Sequence, residues 1–254
     1  MECIELNNDD FASKKKLLNE GYESQIFVYQ HDNKEILIKK YYELDQVDIN
    51  KIELVSKLKT NILIKPSKLV KIGNKIVGFT MKDYMRNFYQ IKIMKTVMSD
   101  EEKYNLLVIL KNEIINLRKQ NCIYGDLSLK NVITDGVNVR LCDSVNVKID
   151  DYNFDQISSN IQKYFNLKNT YDGIDSYMLN LLTIYLLNDI EYDQIIELME
   201  ENLILKFSNK EYINYRGMMD NQECMIICYD MISDKVTKDF LIDYLSFEKE
   251  KTIK

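Results

Sequence analysis

The 254-residue chain contains one proline and seven glycines. So few breakers leave no room for Pro-rich or Gly-rich linkers or for collagen-like repeats. There is one histidine, His31, and five cysteines: Cys3, Cys122, Cys142, Cys224 and Cys228, none of them in a C-x-x-C pair. An odd set of thiols without paired spacing points to neither a disulfide framework nor a zinc site, so buried reduced thiols are expected. No run approaches the ~20 apolar residues of a membrane span. The richest, Leu179 to Leu187, is short and includes Asn180. The opening MECIELNNDD is acidic and lacks an apolar core, so no signal peptide is expected. Excess positive charge is missing too: the net charge of −6 gives no bulk attraction for nucleic acid or an anionic membrane. A cytoplasmic protein with no nucleic-acid or membrane partner is the expectation.

What is present suits a folded domain with a sizeable core. Hydrophobic residues make up 46% and charged residues 29%. The 18 Tyr and 9 Phe read as packing residues. The first third is strand-rich. Tyr22 to Gln30 and Glu35 to Tyr41 flank a polar turn, His31-Asp32-Asn33-Lys34, and predict a hairpin. Asp48 then caps a predicted helix carrying Ile49, Ile52, Val55 and Leu58 at helical spacing. Short apolar runs follow at Ile62 to Ile64, Leu69 to Ile72 and, past a Gly73-Asn74 turn, Ile76 to Met81.

After about residue 90 the pattern turns helical. Ser99-x-x-Glu102 is a capping box ahead of the stripe Leu106, Leu107, Leu110, Ile114 and Leu117. A small hairpin is predicted from Val132 to Leu141 around Asp135-Gly136. Asp175 opens another apolar helix, and most of residues 191 to 250 read as amphipathic helices. The expected architecture is therefore α+β, a strand-rich piece followed by a helical piece with one embedded hairpin.

The chemistry concentrates in Ile123-Tyr124-Gly125-Asp126-Leu127-Ser128-Leu129-Lys130-Asn131-Val132-Ile133, followed by Leu141-Cys142-Asp143. This stretch resembles the catalytic core of the protein-kinase-like superfamily, in which D-L-x-x-x-N is followed by a hairpin and a metal-binding Asp. The resemblance is to a small, divergent Ser/Thr protein-kinase-like protein of bacterial or phage type. It implies a bilobal fold, with a β-rich N-lobe over residues 1–84 and a mostly helical C-lobe over residues 85–254. It also implies ATP and magnesium as cofactors and a phosphotransferase activity. Phosphoryl transfer needs alignment and charge neutralisation more than covalent help. Asn131 and Asp143 would offer magnesium hard oxygen ligands, and Asp126 would orient the acceptor hydroxyl.

Other segments take roles from the same resemblance. Asn19-Glu20-Gly21-Tyr22-Glu23-Ser24-Gln25-Ile26 is similar to the glycine-rich loop over the phosphates, with Asn19, Gly21 and Ser24 at the glycine positions and Ile26 behind. Ile36-Leu37-Ile38-Lys39 resembles the strand that carries the phosphate-binding lysine. Lys39 is preferred and Lys40 is the alternative, since one residue of slip exchanges the sheet faces. Glu53 would pair with that lysine, with Glu43 as rival. Leu37 and Met81 would line the adenine site, with backbone groups of Lys82, Asp83 and Tyr84. Asp175 would hydrogen-bond the catalytic-loop backbone, and Lys130 would place a cation near the γ-phosphate.

The departures from the family limit the substrate. Tyr124 replaces the usual His, and Gly125 stands where regulated protein kinases carry an Arg that reads a loop phosphate. Ser144-Val145 replaces Phe-Gly after Asp143, and no A-P-E motif precedes Asp175. The acceptor is expected to be a protein hydroxyl. A small hydroxylated or amino acceptor, as in aminoglycoside or choline phosphotransferases, and a non-catalytic binding module remain as alternatives. Lacking the phosphate-reading Arg, activity should not depend on a loop phosphate near Ser158, Ser159 or Thr170. Replacing all three by alanine is expected to change the transfer rate less than twofold (about twofold is ~0.4 kcal/mol). A phosphatase-sensitive activity lost in that variant would refute the expectation.

Overall fold

A computed structural model describes residues 1–154 apart from 22, 32–33, 44–47 and 85, together with residues 174–187, 204–207 and 211–214. The fold is mixed α+β. It divides into two compact units, Met1–Phe88 with Leu141–Val145, and Tyr89–Arg140 with the chain from Asn146 onward.

The first unit runs β1 (Cys3–Leu6), α1 (Asn8–Lys14), β2 (Lys15–Glu20), β3 (Ser24–His31), β4 (Lys34–Tyr41), α2 (Ile49–Lys57), β5 (Pro66–Ile72) and β6 (Lys75–Met81). The strands form one sheet in the order β1-β5-β6-β4-β3-β2. β1 lies parallel to β5, and the other neighbours are antiparallel. Alternation gives the sheet two apolar faces. Phe27, Tyr29, Ile38, Val70 and Val77 pack with Leu6 and Phe11 on one of them. Tyr41, Leu69 and Phe79 pack with Ile52 of α2 and with Val145 on the other. The β5–β6 register shifts between Val70 and Lys71, which leaves Val77 out of the pairing. That extra residue is why Val77 and Phe79, two apart, serve opposite faces.

Local signals account for most of these elements. The Asp48 side chain accepts from the Lys51 N–H at 3.0 Å and starts α2. Gly73, at φ +59, turns β5 into β6. The sequence pattern assigns no secondary-structure element to residues 1–18. All six residues of β2 are exposed, so this edge strand shows no alternation to read. The seven-residue α1, capped by Asn7, is too short for a periodic stripe. Ile62 to Ile64 lies outside the named strands. Ile62 O accepts from Leu141 N at 2.8 Å and Ile64 N donates to Leu141 O at 2.9 Å, which fixes the segment Leu141–Val145 in this unit.

The second unit contains β7 (Tyr89–Gln90), α3 (Ile91–Met94), α4 (Asp100–Arg118), β8 (Cys122–Ile123), β9 (Val132–Thr134), the start of β10 (Val139–Leu141), β11 (Lys148–Ile149) and α5 (Ile174–Leu187). The capping box is complete: the Ser99 N–H donates to Glu102 at 2.7 Å and the Glu102 N–H to Ser99 Oγ at 3.3 Å. The stripe from Leu106 to Leu117 is buried, and α4 packs on α5. The predicted hairpin forms, with Thr134 Oγ1 donating to Asn138 O at 2.6 Å across its turn.

Farther on, β12 (Ile204–Phe207) and β13 (Glu211–Asn214) pair antiparallel. This corrects the helical reading of that stretch, because Ile204, Phe207, Tyr212 and Ile213 favour strand and flank a polar link. The rest of 191 to 250 lies outside the described residues, as do Cys224, Cys228, Ser158, Ser159 and Thr170. Among the described residues no helix is long and apolar enough to cross a membrane.

One glycine controls how β4 seats. A Cβ on Gly78 would fall 1.9 Å from the Lys39 carbonyl oxygen, a backbone atom that cannot swing aside. Gly78→Ala should therefore destabilise the protein by about 1–3 kcal/mol, as overpacking typically does. Urea denaturation of the full chain measures it; an unchanged midpoint would contradict this packing.

Candidate functional site

The first unit builds its charged cluster on one face of β4. Strand alternation puts Leu37, Lys39 and Tyr41 on the face covered by α2 and Val145, and it turns Lys40 to the other. Lys39 Nζ reaches Asp143 Oδ1 at 2.5 Å, and its side chain is 13% exposed against 36% for Asp143. The ammonium also sits 5.5 Å from the Tyr41 ring centroid. Asp143 adopts φ +51, a left-handed conformation uncommon outside glycine. Its neighbours impose it: Leu141 is hydrogen-bonded on both sides, and Ser144 and Val145 are buried just beyond. A strained residue held by firm flanks is a frequent feature of functional positions. Burial, with help from the Asp143 carboxylate, pushes the Cys142 thiol up to about 12, which favours the protonated thiol over the thiolate.

Glu53 is placed differently from its sequence expectation. Its Oε1 accepts from the α-ammonium of Met1 at 2.7 Å, where Lys39 had been expected. β1, laid along β5, carries Met1 to α2. The ammonium holds the Glu53 carboxyl below its ordinary range. The rival Glu43 is exposed.

The loop between β2 and β3 is tight. The Gly21 N–H donates to Ser24 O at 2.9 Å, and Asn19 Oδ1 accepts from the Glu20 N–H at 2.9 Å. Ser24 is buried at the start of β3, and Ile26 stands opposite Lys39 in the ladder. Met81 closes β6 opposite Leu37. Beyond it, Lys82 Nζ lies 5.0 Å from the Tyr84 ring centroid, and Tyr84 meets Phe88 edge-on at 5.4 Å. Asp83 and Glu35 both face Arg86.

The second unit builds its cluster on the loop between β8 and β9. Asp175, fully buried at the start of α5, accepts from the Tyr124 N–H at 2.9 Å and the Gly125 N–H at 2.6 Å. Burial drives its carboxyl upward, while the two N–H donors and the charge of Arg118 pull the other way. Beside this clamp, Asn131 Nδ2 donates to Asp126 Oδ2 at 2.6 Å. Ser128 O accepts from the N–H groups of Asn131 and Val132, which folds the loop back, and buried Leu127 anchors it. Ser128 Oγ is buried without a hydrogen-bond partner. Lys130 is exposed.

Two contributors carried no sequence signal. Phe154 packs so closely on Gly125 that a Cβ there would come within 2.3 Å of the ring. Tyr42 reaches the β2–β3 loop: its Oη donates to Glu20 Oε1 at 2.8 Å. Both contacts join residues far apart in the chain, and a lone aromatic gives no spacing to read.

The pattern around Gly125 also explains that glycine. At φ +77, with a ring against its Cα, the position admits no side chain. Among the described residues no three His, Cys, Asp or Glu side chains gather as a metal cluster. The sequence matches no protein-family model and no curated protein.

Gly125→Ala is expected to lower stability by about 1–3 kcal/mol, from strain and overpacking together. Adding Phe154→Leu should restore part of the loss. If the single variant melts like wild type, or the second change restores nothing, the clamp on this loop is misread.

Proposed function

We propose that the chain is an ATP- and magnesium-dependent phosphotransferase of the protein-kinase-like kind, with a bilobal arrangement and a protein hydroxyl as acceptor. The observation that carries the reading is the Lys39–Asp143 ion pair. It joins two residues singled out from separate motifs 104 positions apart. A scaffold has no need of a largely buried lysine aimed at a strained aspartate.

Each unit supplies its own share of the chemistry. In the first, Lys39 offers a cation for phosphate oxygens, while Leu37, Ile26 and Met81 offer apolar surface for a base. In the second, Asp126 is the group that accepts or orients the acceptor hydroxyl, and Asn131 fixes its carboxylate. Asp175 freezes the backbone just before Asp126, which reduces what must be ordered during transfer. Asn131 spends its amide nitrogen on Asp126, so its oxygen is the end suited to a cation. That oxygen in the second unit and the Asp143 carboxylate in the first are each a hard donor of the kind magnesium prefers. When bound, the ion would neutralise charge on the transferring phosphate. Lys130 remains a solvent-facing cation.

A second reading, transfer to a small amino or hydroxylated acceptor, is favoured by Gly125. The Phe154 ring fills the space that a phosphate-reading Arg would need, so regulation through that Arg is absent. Both readings share ATP and the same catalytic groups.

Transfer of labelled γ-phosphate from ATP with magnesium tests the proposal, using wild type alone, with a generic protein, and with a panel of amino-alcohols and aminoglycosides. Label on protein is expected, with Asp126→Ala reducing the rate by about 10²–10⁴-fold, the usual contribution of a positioned base. Asp143→Asn should abolish turnover without unfolding the chain, and Lys39→Ala should impair it where Lys40→Ala does not. Label on a small molecule would replace the acceptor, and nucleotide binding without any transfer would favour the binding module.

A further inference from the structure

Tyr42 follows β4 and belongs to no motif, yet it makes three contacts to one short loop. Its Oη donates to Glu20 Oε1 at 2.8 Å and also lies 3.2 Å from Gly21 O. Its backbone N–H donates to Glu23 O at 3.0 Å. Gln25 Nε2 donates to the same Glu20 oxygen at 2.8 Å, so that carboxylate is held from both sides. The two hydrogen bonds keep the Glu20 carboxyl below its usual range, which preserves it as a charged acceptor. Burial and the adjacent carboxylate push the Tyr42 phenol upward, which preserves it as a donor.

The residues so tied are the turn from β2 into β3. This turn has only one glycine, and its Gly21 N–H is already used within the loop. Its edge strand β2 is exposed along its whole length. Such a hairpin end has little packing of its own and would move on the timescale of exposed loops. An external tether is what fixes its shape.

We propose that Tyr42 is a positioning residue that latches the β2–β3 loop, through Glu20 and the Gly21 carbonyl, in the shape that receives the nucleotide phosphates. The inference rests on the phosphotransferase reading for its ligand. The latch acts on nucleotide affinity rather than on the transfer step, because the described polar contacts of Tyr42 are to this loop and to Gln25 beside it. Tyr42 is 40% exposed, so loss of its hydroxyl leaves the core intact.

The experiment compares wild type, Tyr42→Phe, Glu20→Ala and the double variant as full chains. ADP with magnesium is titrated calorimetrically, hydrogen exchange is followed for peptides covering residues 15–27, and transfer kinetics are measured with ATP. Tyr42→Phe should weaken ADP by about three- to tenfold, the usual net scale of one hydrogen bond. KM for ATP should rise to match, with kcat within about twofold. Exchange over residues 20–24 should accelerate. In the Glu20→Ala background, Tyr42→Phe should cost less than in wild type, since the Glu20 bond is already gone and only the contact with the Gly21 carbonyl remains. Unchanged affinity in Tyr42→Phe overturns the latch, whether or not exchange accelerates. Additive losses in the double variant overturn it too. If wild type binds no nucleotide, the phosphotransferase reading falls and takes the latch's role with it. Wild type that binds ADP no better than Tyr42→Phe removes the latch alone.

Discussion

The arrangement depends on the register of β4. A strand exchanges its faces with each residue, so a slip of one position would send Lys39 to the α1 side and put Lys40 opposite α2. Three constraints prevent that slip. Ile38 and Tyr41 are committed to opposite apolar clusters, β3 and β6 pair with β4 on both sides, and Gly78 lets the Lys39 carbonyl approach where any side chain would block it. The ion pair with Asp143 is a consequence of that register. It joins a lysine on a rigid strand to an aspartate whose backbone is fixed by the Leu141 ladder and by buried Val145.

The same logic holds in the second unit with different parts. There the constraint is a fully buried carboxylate, Asp175, whose cost of burial is offset by two N–H donors from the loop it holds. The loop cannot leave without stripping that buried carboxyl of both donors. Phe154 adds a steric wall against Gly125, so the backbone before Asp126 is fixed by hydrogen bonds and by packing together. On the proposed reading Asp126 presents an oxygen to the acceptor, a task that gains most from a neighbour that cannot move.

The sequence disclosed what repeats or what sits at fixed spacing. The capping box at Ser99, the α4 stripe, the turn at Gly73 and the hairpin after Asn131 each follow from local rules and occupy their expected places. The loop from Tyr124 to Asn131 stands out in the sequence for the same reason, as a short motif with a hairpin behind it. Contacts between distant single residues were not. The choice of Lys39 over Lys40 depended on a face that only the bulge at Val77 and the pairing of β6 define. The strand at Ile204 read as helix because its few apolar residues fit either period over so short a run.

Glu53 shows how tertiary placement decides an ion pair that a motif only suggests. In isolation it is an acidic residue on the helix after a lysine-bearing strand, the pattern that suggests a pair. Its partner is decided by β1, whose pairing with β5 brings a positive terminus within 2.7 Å. An exposed carboxylate takes whichever cation the fold delivers, and with 33% of its side chain exposed Glu53 gains modestly from either. Lys39 therefore relies on Asp143 for its compensating charge. A lysine balanced by Asp143 is poised differently from one balanced by a helix glutamate, since under the proposed reading a cation arriving at Asp143 would compete with the ammonium already there. On the proposed reading the ion pair is a charge-matched resting arrangement, in which binding of a phosphate group to Lys39 and of a cation to Asp143 would favour one another electrostatically.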